Sequence, residues 1–205
     1  DVSVDSGRGI NDVAIVMGYS KGTEISDLNV SGTVNAKANA NVYCGGVSGY
    51  ASEITVSDAS VDAVISSEVT DGESKLMAGM LSGYQSGCKE TGSNLKGTLT
   101  VNGVGTVYAG GAEKSEAGQI VTDVIVEATS TGSGVMLMAG GVYGMSTETV
   151  LDGTTVACSL NSGSAEVDYV GGIEELAAWH GKSCDAVAAG DRSRTHPRLV
   201  HGRCV

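Results

Sequence analysis

Val42-Tyr43-Cys44-Gly45-Gly46 is one copy of a short pattern that recurs along the 205-residue chain. The later copies are Leu76-Met77-Ala78-Gly79-Met80, Val107-Tyr108-Ala109-Gly110-Gly111, Leu137-Met138-Ala139-Gly140-Gly141 and Asp168-Tyr169-Val170-Gly171-Gly172. Counted from Tyr43 through Met77, Tyr108, Met138 and Tyr169, the spacings are 34, 31, 30 and 31 residues. A fixed period in this range indicates stacked supersecondary units. The chain is therefore expected to be an elongated repeat body, which offers long surfaces to partners.

The last segment of each repeat alternates apolar and polar residues with period two, which predicts a half-buried β-strand. The first apolar column contains Val30, Val61, Leu95, Val126 and Val156. The second column is small, with Gly32, Ala63, Gly97, Ala128 and Cys158, and the third is mostly branched, with Val34, Ile65, Leu99, Ser130 and Leu160. The outward positions after the first column hold Ser31, Asp62, Lys96, Glu127 and Ala157. Equivalent residues should therefore stack in register from coil to coil.

Two further columns and one turn complete the predicted repeat. An aliphatic column upstream holds Ile25, Val56, Val121 and Leu151 and is interrupted by Glu90. A turn follows it at Asp27, Asp58, Gly92, Asp123 and Gly153, because Asp and Gly are both favoured in turns. The Gly-Gly strand is followed by an apolar column of Val47, Leu81, Ala112, Val142 and Ile173. About three short strands and three turns per coil result, with parallel pairing between coils.

The predicted fold class is all-β, a parallel β-solenoid (β-helix) of about five to six coils with a period near 31 residues. It is expected to span residues 1–175. Helical repeats of similar period need helix formers with 3.6-residue periodicity, whereas Gly, Val, Thr and Ser dominate here.

Composition restricts the partners of this solenoid. The chain has 31 Gly and no Phe, so a core of small aliphatic ladders is expected. Its net charge of −12 disfavours nucleic acid and anionic membrane surfaces. No apolar run approaches the roughly 20 residues of a membrane span, so no membrane insertion is expected. No secretory signal is visible, so the sequence is expected to be an internal piece of a longer chain with neighbouring domains.

The composition changes near residue 175. Residues 1–175 hold 7 Lys and Arg against 22 Asp and Glu, whereas residues 176–205 hold 5 against 2. This divergent basic tail also contains the only Trp, the only Pro and all three His. We expect it to be disordered or not native to the fold, for example through a reading-frame slip. The alternative is a segment that caps the solenoid.

The sequence predicts no catalytic, cofactor-binding or metal site. No His-Glu-X-X-His motif or Gly-X-Ser-X-Gly elbow is present, and Gly103-Val104-Gly105 and Gly132-Ser133-Gly134 are interpreted as turns rather than phosphate loops. The tail has zinc-ligand residue types, but their spacing fits no established zinc finger (His180, Cys184, His196, His201, Cys204).

Three other sets have a structural and a functional interpretation, and the structural one is favoured for each. Asp27, Asp58 and Asp123 could form a carboxylate ladder for calcium, but solvated turns are favoured. The column of Tyr43, Tyr108 and Tyr169 with Met77 and Met138 could line a sugar-binding face, but stacking along the solenoid is favoured. Cys44, Cys88 and Cys158 occupy apolar columns and are expected to be small buried residues rather than disulfide partners.

Gly46-Val47-Ser48-Gly49-Tyr50-Ala51-Ser52, followed by Ile54-Thr55-Val56-Ser57-Asp58-Ala59-Ser60-Val61, resembles the GLUG repeat of bacterial surface proteins. Leu81-Ser82-Gly83-Tyr84-Gln85-Ser86-Gly87 and Met17-Gly18-Tyr19-Ser20-Lys21-Gly22 are similar to the same element. The coils that open at Tyr108 and Met138 depart from it, with Glu113-Lys114-Ser115-Glu116 and Tyr143-Gly144-Met145 in place of Ser-Gly-Tyr. The resemblance covers about residues 12–175.

This resemblance implies an extracellular protein, secreted or at the bacterial cell surface, in which the repeats act as a stalk or an adhesive, ligand-display surface. A host or matrix glycan or protein would be the partner. The resemblance also admits the noncatalytic part of a surface metallopeptidase, since such repeats occur in immunoglobulin A-specific metalloendopeptidases. The main alternative is a carbohydrate-active β-helix enzyme, a polysaccharide lyase or hydrolase, which needs clustered charged side chains on one face.

Overall fold

The structure is a computed structural model. It describes the backbone of residues 1–7, 9–110, 112–118, 121–132, 136–146, 150–152, 154–164, 167–171 and 184–190. Side-chain burial is described for residues 1–7, 9–110, 123–132 and 136–145. Over the described backbone the chain is all β-strand, turn and bend, without a helix. No segment of this part is therefore a helix long and apolar enough to cross a membrane.

Most strands are short, but the last strand of each coil runs for ten or eleven residues, and β11 of coil 3 also has ten. In chain order they are β1 (Val2–Ser6), β2 (Asn11–Ala14), β3 (Met17–Lys21), β4 (Glu24–Ser26), β5 (Asn29–Ala38), β6 (Val42–Gly45), β7 (Ser48–Ser52), β8 (Thr55–Ser57), β9 (Ser60–Val69), β10 (Lys75–Gly79), β11 (Ser82–Thr91), β12 (Asn94–Gly103), β13 (Thr106–Ala109), β14 (Ala112–Gly118), β15 (Val121–Ser130), β16 (Met136–Gly140), β17 (Met145–Ser146), β18 (Val150–Asp152), β19 (Thr154–Ser164), β20 (Val167–Gly171) and β21 (Cys184–Gly190).

These strands form three parallel sheets that run along the molecule. The long sheet has the order β1-β5-β9-β12-β15-β19-β21, and the short sheet has the order β2-β6-β10-β13-β16-β20. The split sheet has the order β17-β14-β11-β7-β3, with β4, β8 and β18 continuing it after a break. Each coil thus passes through the short, split and long sheets in turn. The predicted parallel β-solenoid is confirmed.

We number the coils by the residues that complete one passage: coil 1 (11–38), coil 2 (42–69), coil 3 (75–103), coil 4 (106–130) and coil 5 (136–164). In coils 1 to 3 the predicted register of the long sheet is correct. Val61 pairs with both Val30 and Leu95, and Ile65 pairs with both Val34 and Leu99. All six of these side chains are buried, and Asp62 and Lys96 between them are exposed.

The predicted register of coil 4 was wrong by four residues. Val126 pairs with Leu99, not with Leu95, whose partner is Thr122. Ala128 and Ser130 likewise pair with Val101 and Gly103 rather than with the second and third columns. The true columns are Val30, Val61, Leu95, Thr122, Val156; Gly32, Ala63, Gly97, Val124, Cys158; and Val34, Ile65, Leu99, Val126, Leu160.

The cause lies at the first corner of coil 4. Five residues separate Ala78 from Tyr84 in coil 3, whereas only two separate the equivalent Ala109 and Ala112 in coil 4. Coil 4 is therefore three residues shorter at this corner. A bulge in β11 between Ser86 and Cys88 accounts for the fourth residue of the shift. The turn before the next short strand is longer by three residues, so the overall repeat length conceals the shift.

The same shift corrects three other predicted positions. The interrupted aliphatic column is Ile25, Val56, Glu90, Ala117 and Leu151, so Ala117 replaces Val121. Ala112 pairs with Tyr84 and Met145 instead of continuing the column of Val47 and Leu81. Asp123 is an exposed strand residue opposite Lys96, not a turn residue. Ile173 lies outside the described residues.

The core fills the space between the sheets with Val, Ala, Leu and Ile from every coil. Its largest fully buried side chains include Ile54, Ile65, Leu76, Leu99 and Leu137. The expected ladder core of small aliphatic residues is therefore present. Burying such side chains stabilises the fold by about 1.5–3 kcal/mol each relative to exposure.

The long sheet extends into the segment assigned to the tail. β21 pairs in parallel with β19 over seven residues, from Thr154 opposite Cys184 to Leu160 opposite Gly190. β21 lies within residues 176–205, which the sequence predicts to be a separate tail. The rest of the tail, 176–183 and 191–205, lies outside the described residues.

Candidate functional site: an outer corner of tyrosine and methionine

One column of side chains follows the outer side of the short sheet. Asp12, Tyr43, Met77, Tyr108 and Met138 are directly in register, and the backbone of Tyr169 pairs next to Met138. Met77, Tyr108 and Met138 are buried and form an apolar cluster of their own, separate from the main core. The column therefore packs along the solenoid axis, which is the role that the sequence favoured for it.

A second column comes from the neighbouring split sheet and meets the first at the outer side of the corner. Tyr19, Tyr50 and Tyr84 are directly in register on β3, β7 and β11. The ring centroids of Tyr19 and Tyr50 are 5.5 Å apart with planes 13° from parallel, and those of Tyr50 and Tyr84 are 4.9 Å apart at 30°. Tyr43 contacts this stack from the side, 5.7 Å from Tyr50 and 6.0 Å from Tyr84. We call Tyr19, Tyr43, Tyr50 and Tyr84 the tyrosine corner.

Glycine before each tyrosine lets the two sheets approach closely enough for this contact. A Cβ on Gly49 would lie 2.7 Å from the Tyr43 carbonyl oxygen and 2.7 Å from that of Gly18. A Cβ on Gly83 would lie 2.6 Å from the carbonyl oxygen of Met77. Real Cβ atoms essentially never come this close to backbone, so only glycine fits there. The Gly-Tyr step is thus one physical unit: glycine closes the corner and tyrosine covers it.

The tyrosine corner is partly open to solvent. Tyr19 is 57% exposed, and Tyr43, Tyr50 and Tyr84 are half-buried. Desolvation raises the pKa of Tyr43 and of Tyr50, and neighbouring tyrosines and Asp12 add to both shifts. These two phenols therefore stay protonated at neutral pH.

Asp12 opens the outer column and lies beside the aromatic rings. One of its carboxylate oxygens, Oδ1, is buried and has no hydrogen-bond partner. Desolvation raises the pKa of this carboxyl group. An unpaired carboxylate oxygen of this kind is costly to bury.

The shape of the stack determines what the tyrosine corner can contact. Tyr50 has a ring on each side, so both of its faces are occupied within the ladder. The partly exposed tyrosines follow one another along the solenoid axis over coils 1 to 3. Such a line suits a ligand or partner that extends over several coils.

A second polar feature lies inside the solenoid. Glu90 is in register with Val56 on β8 and is only 3% exposed. Desolvation raises the pKa of its carboxyl group from 4.5 to about 7. Glu90 Oε1 has no hydrogen-bond partner within hydrogen-bonding distance, and neither does the hydroxyl group of the nearby Ser93. The Ser93 hydroxyl is still close enough to lower the pKa of Glu90 and so to offset part of the rise.

Tyr143 of coil 5 reaches Glu90 of coil 3 past the intervening coil. Its hydroxyl donates to Glu90 Oε2 at 3.5 Å, and its side chain is 4% exposed. Coil 4 is three residues short at this corner, and coil 5 packs directly on Gly110 there. Tyr143 follows Val142 as Ser82 follows Leu81. The larger Tyr143 side chain therefore occupies the space that the shorter corner of coil 4 leaves between coils 3 and 5.

The remaining predicted positions with described side chains are turn residues and buried cysteines. Asp27 and Asp58 are left-handed turn residues with φ of 51° and 54°, and Gly92 follows them with φ of 71°. Cys44 and Cys88 are buried and are not joined in a disulfide, and the Cys88 thiol donates to the Ser86 carbonyl oxygen at 3.6 Å. Among the described residues, no group of three or more His, Cys, Asp or Glu is arranged to hold a metal ion.

Other predicted positions lack a described side chain. Cys158 pairs with Val124 through its backbone, and Cys184 begins β21. His180, His196, His201 and Cys204 lie outside the described residues, as does Gly153.

The tyrosine corner was not predicted as a unit. The sequence pattern placed Tyr43 in a column, whereas Tyr19, Tyr50 and Tyr84 belonged only to the Gly-Tyr motif. Their constant place after Gly18, Gly49 and Gly83 was the available signal.

Comparison of the chain with protein-family models, curated proteins and solved structures gives no match.

Proposed function

We propose that the chain is a noncatalytic repeat region of a secreted or cell-surface bacterial protein, acting as a stalk and ligand-display surface. The tyrosine corner is the contact face, and a host or matrix glycan or protein is the partner. The observation that carries this proposal is the ladder of Tyr19, Tyr50 and Tyr84, which repeats in register over three coils and remains partly exposed. Tyrosine is favoured at contact surfaces because it combines a large apolar ring with a hydroxyl group.

The resemblance to the GLUG repeat supports this proposal through two of its residues. The Gly-Tyr step at Gly49-Tyr50 and Gly83-Tyr84 closes the corner and supplies the ladder. An extracellular location is proposed on the same resemblance.

The positions of Asp12 and Glu90, two carboxyl groups with raised pKa, give less support to a carbohydrate-active enzyme. Glu90 is enclosed between the sheets at 3% exposure, so a polymeric substrate cannot reach it in this conformation. Asp12 lies on the outer corner instead. Glycoside hydrolysis needs two carboxyl groups about 5–10 Å apart on either side of one bond.

The binding test compares the whole chain with variants on an array of host glycans and matrix proteins. The variant Tyr50→Ser/Tyr84→Ser removes two rungs of the ladder. The matched control, Val64→Thr/Ile125→Thr, removes two half-exposed apolar side chains from the outer face of the long sheet. Circular dichroism first confirms that both variants are folded.

We expect binding to be lost with the tyrosine variant and kept with the control. Equal binding by both variants would reject the tyrosine corner as the contact face. Turnover of uronic-acid polymers by the purified chain would reject the noncatalytic assignment.

A further inference from the structure

We propose that the tyrosine corner is a site of oxidative modification, at which Tyr50 and Tyr84 couple through a carbon–carbon bond and join coils 2 and 3 covalently. This inference goes beyond the proposed function and does not depend on what the corner binds.

The two rings are held together by the backbone. Tyr50 and Tyr84 are direct partners on adjacent parallel strands, which lie about 4.8 Å apart. Their ring centroids are 4.9 Å apart, the shortest separation in the tyrosine corner. A reaction between groups held in this way is effectively unimolecular and is strongly favoured over a collision between molecules.

The other ring pairs are less suitable. Tyr43 meets Tyr50 edge-on at 79° and Tyr84 at 54°, and it belongs to a different sheet. Tyr19 and Tyr50 are nearly parallel, but their centroids are 5.5 Å apart. Tyr19–Tyr50 is therefore the second choice, and both ladder pairs share Tyr50.

The coupling chemistry balances with hydrogen peroxide as the oxidant and a peroxidase as the catalyst. Each phenol loses one electron and its hydroxyl proton to give a phenoxyl radical. The ring carbons next to the two hydroxyl-bearing carbons then join, and the two hydrogens on those carbons move to the oxygens as the rings regain aromaticity. One peroxide is reduced to two waters for each biaryl bond that forms.

The exposure of the two rings suits this reaction. Tyr50 and Tyr84 are half-buried at the surface, so an oxidant can reach them while the ladder limits their movement. Tyr108 provides a contrast, since it is 6% exposed and packs between Met77 and Met138.

A bond between residues 50 and 84 would close a loop across one full coil. Covalent loop closure stabilises a fold mainly by restricting its unfolded state. The cross-linked chain is therefore expected to unfold at a higher denaturant concentration than the untreated chain.

The experiment treats the whole chain, at high dilution, with hydrogen peroxide and a peroxidase. Dityrosine fluorescence, intact mass and tryptic mapping are measured on the monomer. We expect fluorescence to appear, the mass to fall by two hydrogens, and peptide 38–75 to be linked to peptide 76–89. Tyr43 shares peptide 38–75 with Tyr50, so variants are needed to assign the bond.

Phenylalanine keeps the ring but cannot form the radical. Tyr50→Phe should abolish the monomer cross-link, whereas Tyr43→Phe and Tyr108→Phe should leave it unchanged. The proposal is overturned if the wild-type chain gives no dityrosine or only linked dimers. It is also overturned if Tyr50→Phe retains the cross-link. Loss of glycan or protein binding in the earlier test would leave this result unaffected, so the two proposals fail separately.

Discussion

Gly49 shows how one missing side chain determines the shape of a coil. The atoms nearest to its hypothetical Cβ are backbone atoms of Val13, Gly18 and Tyr43, which cannot move independently of the sheets. We expect Gly49→Ala to lower the free energy of unfolding by roughly 1–3 kcal/mol, as overpacking does in other cores. Urea unfolding of the whole chain measures this loss. Gly7→Ala is the matched control, because nothing lies within 4 Å of its Cβ position. Equal stability of the two variants would contradict the close packing of the corner.

Glu90 predicts how stability depends on pH. Its carboxyl pKa is about 7 in the folded chain against 4.5 in the unfolded chain, because burial disfavours the charged form. Between these values the folded state binds more protons, so the free energy of unfolding falls as pH rises. The stabilising contribution is complete below pH 4.5 and is lost above pH 7. The full change is about 3 kcal/mol at 1.36 kcal/mol per pKa unit.

Chemical denaturation at a series of pH values tests this expectation. In the Glu90→Gln variant the free energy of unfolding should fall less between pH 5 and 8 than in the wild-type chain. The variant should also be more stable than the wild-type chain at pH 8, since no charge is then buried. Glu24→Gln, at an exposed position on β4, should leave the fall in place. A fall that persists in Glu90→Gln would assign the pH dependence to another group.

At the scale of single strands, the register of coil 4 can be tested by coupling energies. Leu99 and Val126 are direct partners, whereas Leu95 lies four residues, or about 13 Å, farther along the strand. A double-mutant cycle with Leu99→Ala and Val126→Ala should give a coupling of about 0.5 kcal/mol or more. The same cycle with Leu95→Ala and Val126→Ala should be additive within about 0.5 kcal/mol. The reverse result would restore the register first inferred from the sequence.

The strand pattern made most of the fold predictable. Alternation along Val30–Val34 and its copies identified the buried face, and the even spacing identified parallel stacking. The register of coil 4 could not be predicted in this way, because its shortened corner and its lengthened turn nearly cancel in the repeat length. A shift of four residues, which is an even number, leaves the same side chains of the strand facing the core. Val126 is therefore buried in either register.

The tyrosine corner and the Glu90–Tyr143 contact were less accessible to sequence analysis. Both bring together residues from different sheets or from coils two apart, and no pattern within one strand encodes such contacts. Glu90 itself was visible as an interruption of an aliphatic column. Its partner could not be identified until the shortened corner of coil 4 was known.

At the scale of the whole molecule, stability depends on what covers the ends of the stacked sheets. A strand at the edge of a parallel sheet presents unpaired N–H and C=O groups, which favour pairing with another chain. β21 covers β19 in this way over residues 154–160. It thereby moves the edge of the long sheet from one strand to the next.

Truncation at two points tests whether β21 is part of the solenoid. A chain that ends at Gly171 lacks β21, so β19 becomes an edge and we expect concentration-dependent self-association together with a lower unfolding midpoint. A chain that ends at Gly190 keeps β21 and should match the full-length chain in both properties. Size-exclusion chromatography over a range of concentrations, combined with urea unfolding, separates these outcomes. If the chain that ends at Gly171 remains as monomeric and as stable as the full-length chain, β21 contributes nothing to the fold, and the change in composition near residue 175 marks the true end of the solenoid.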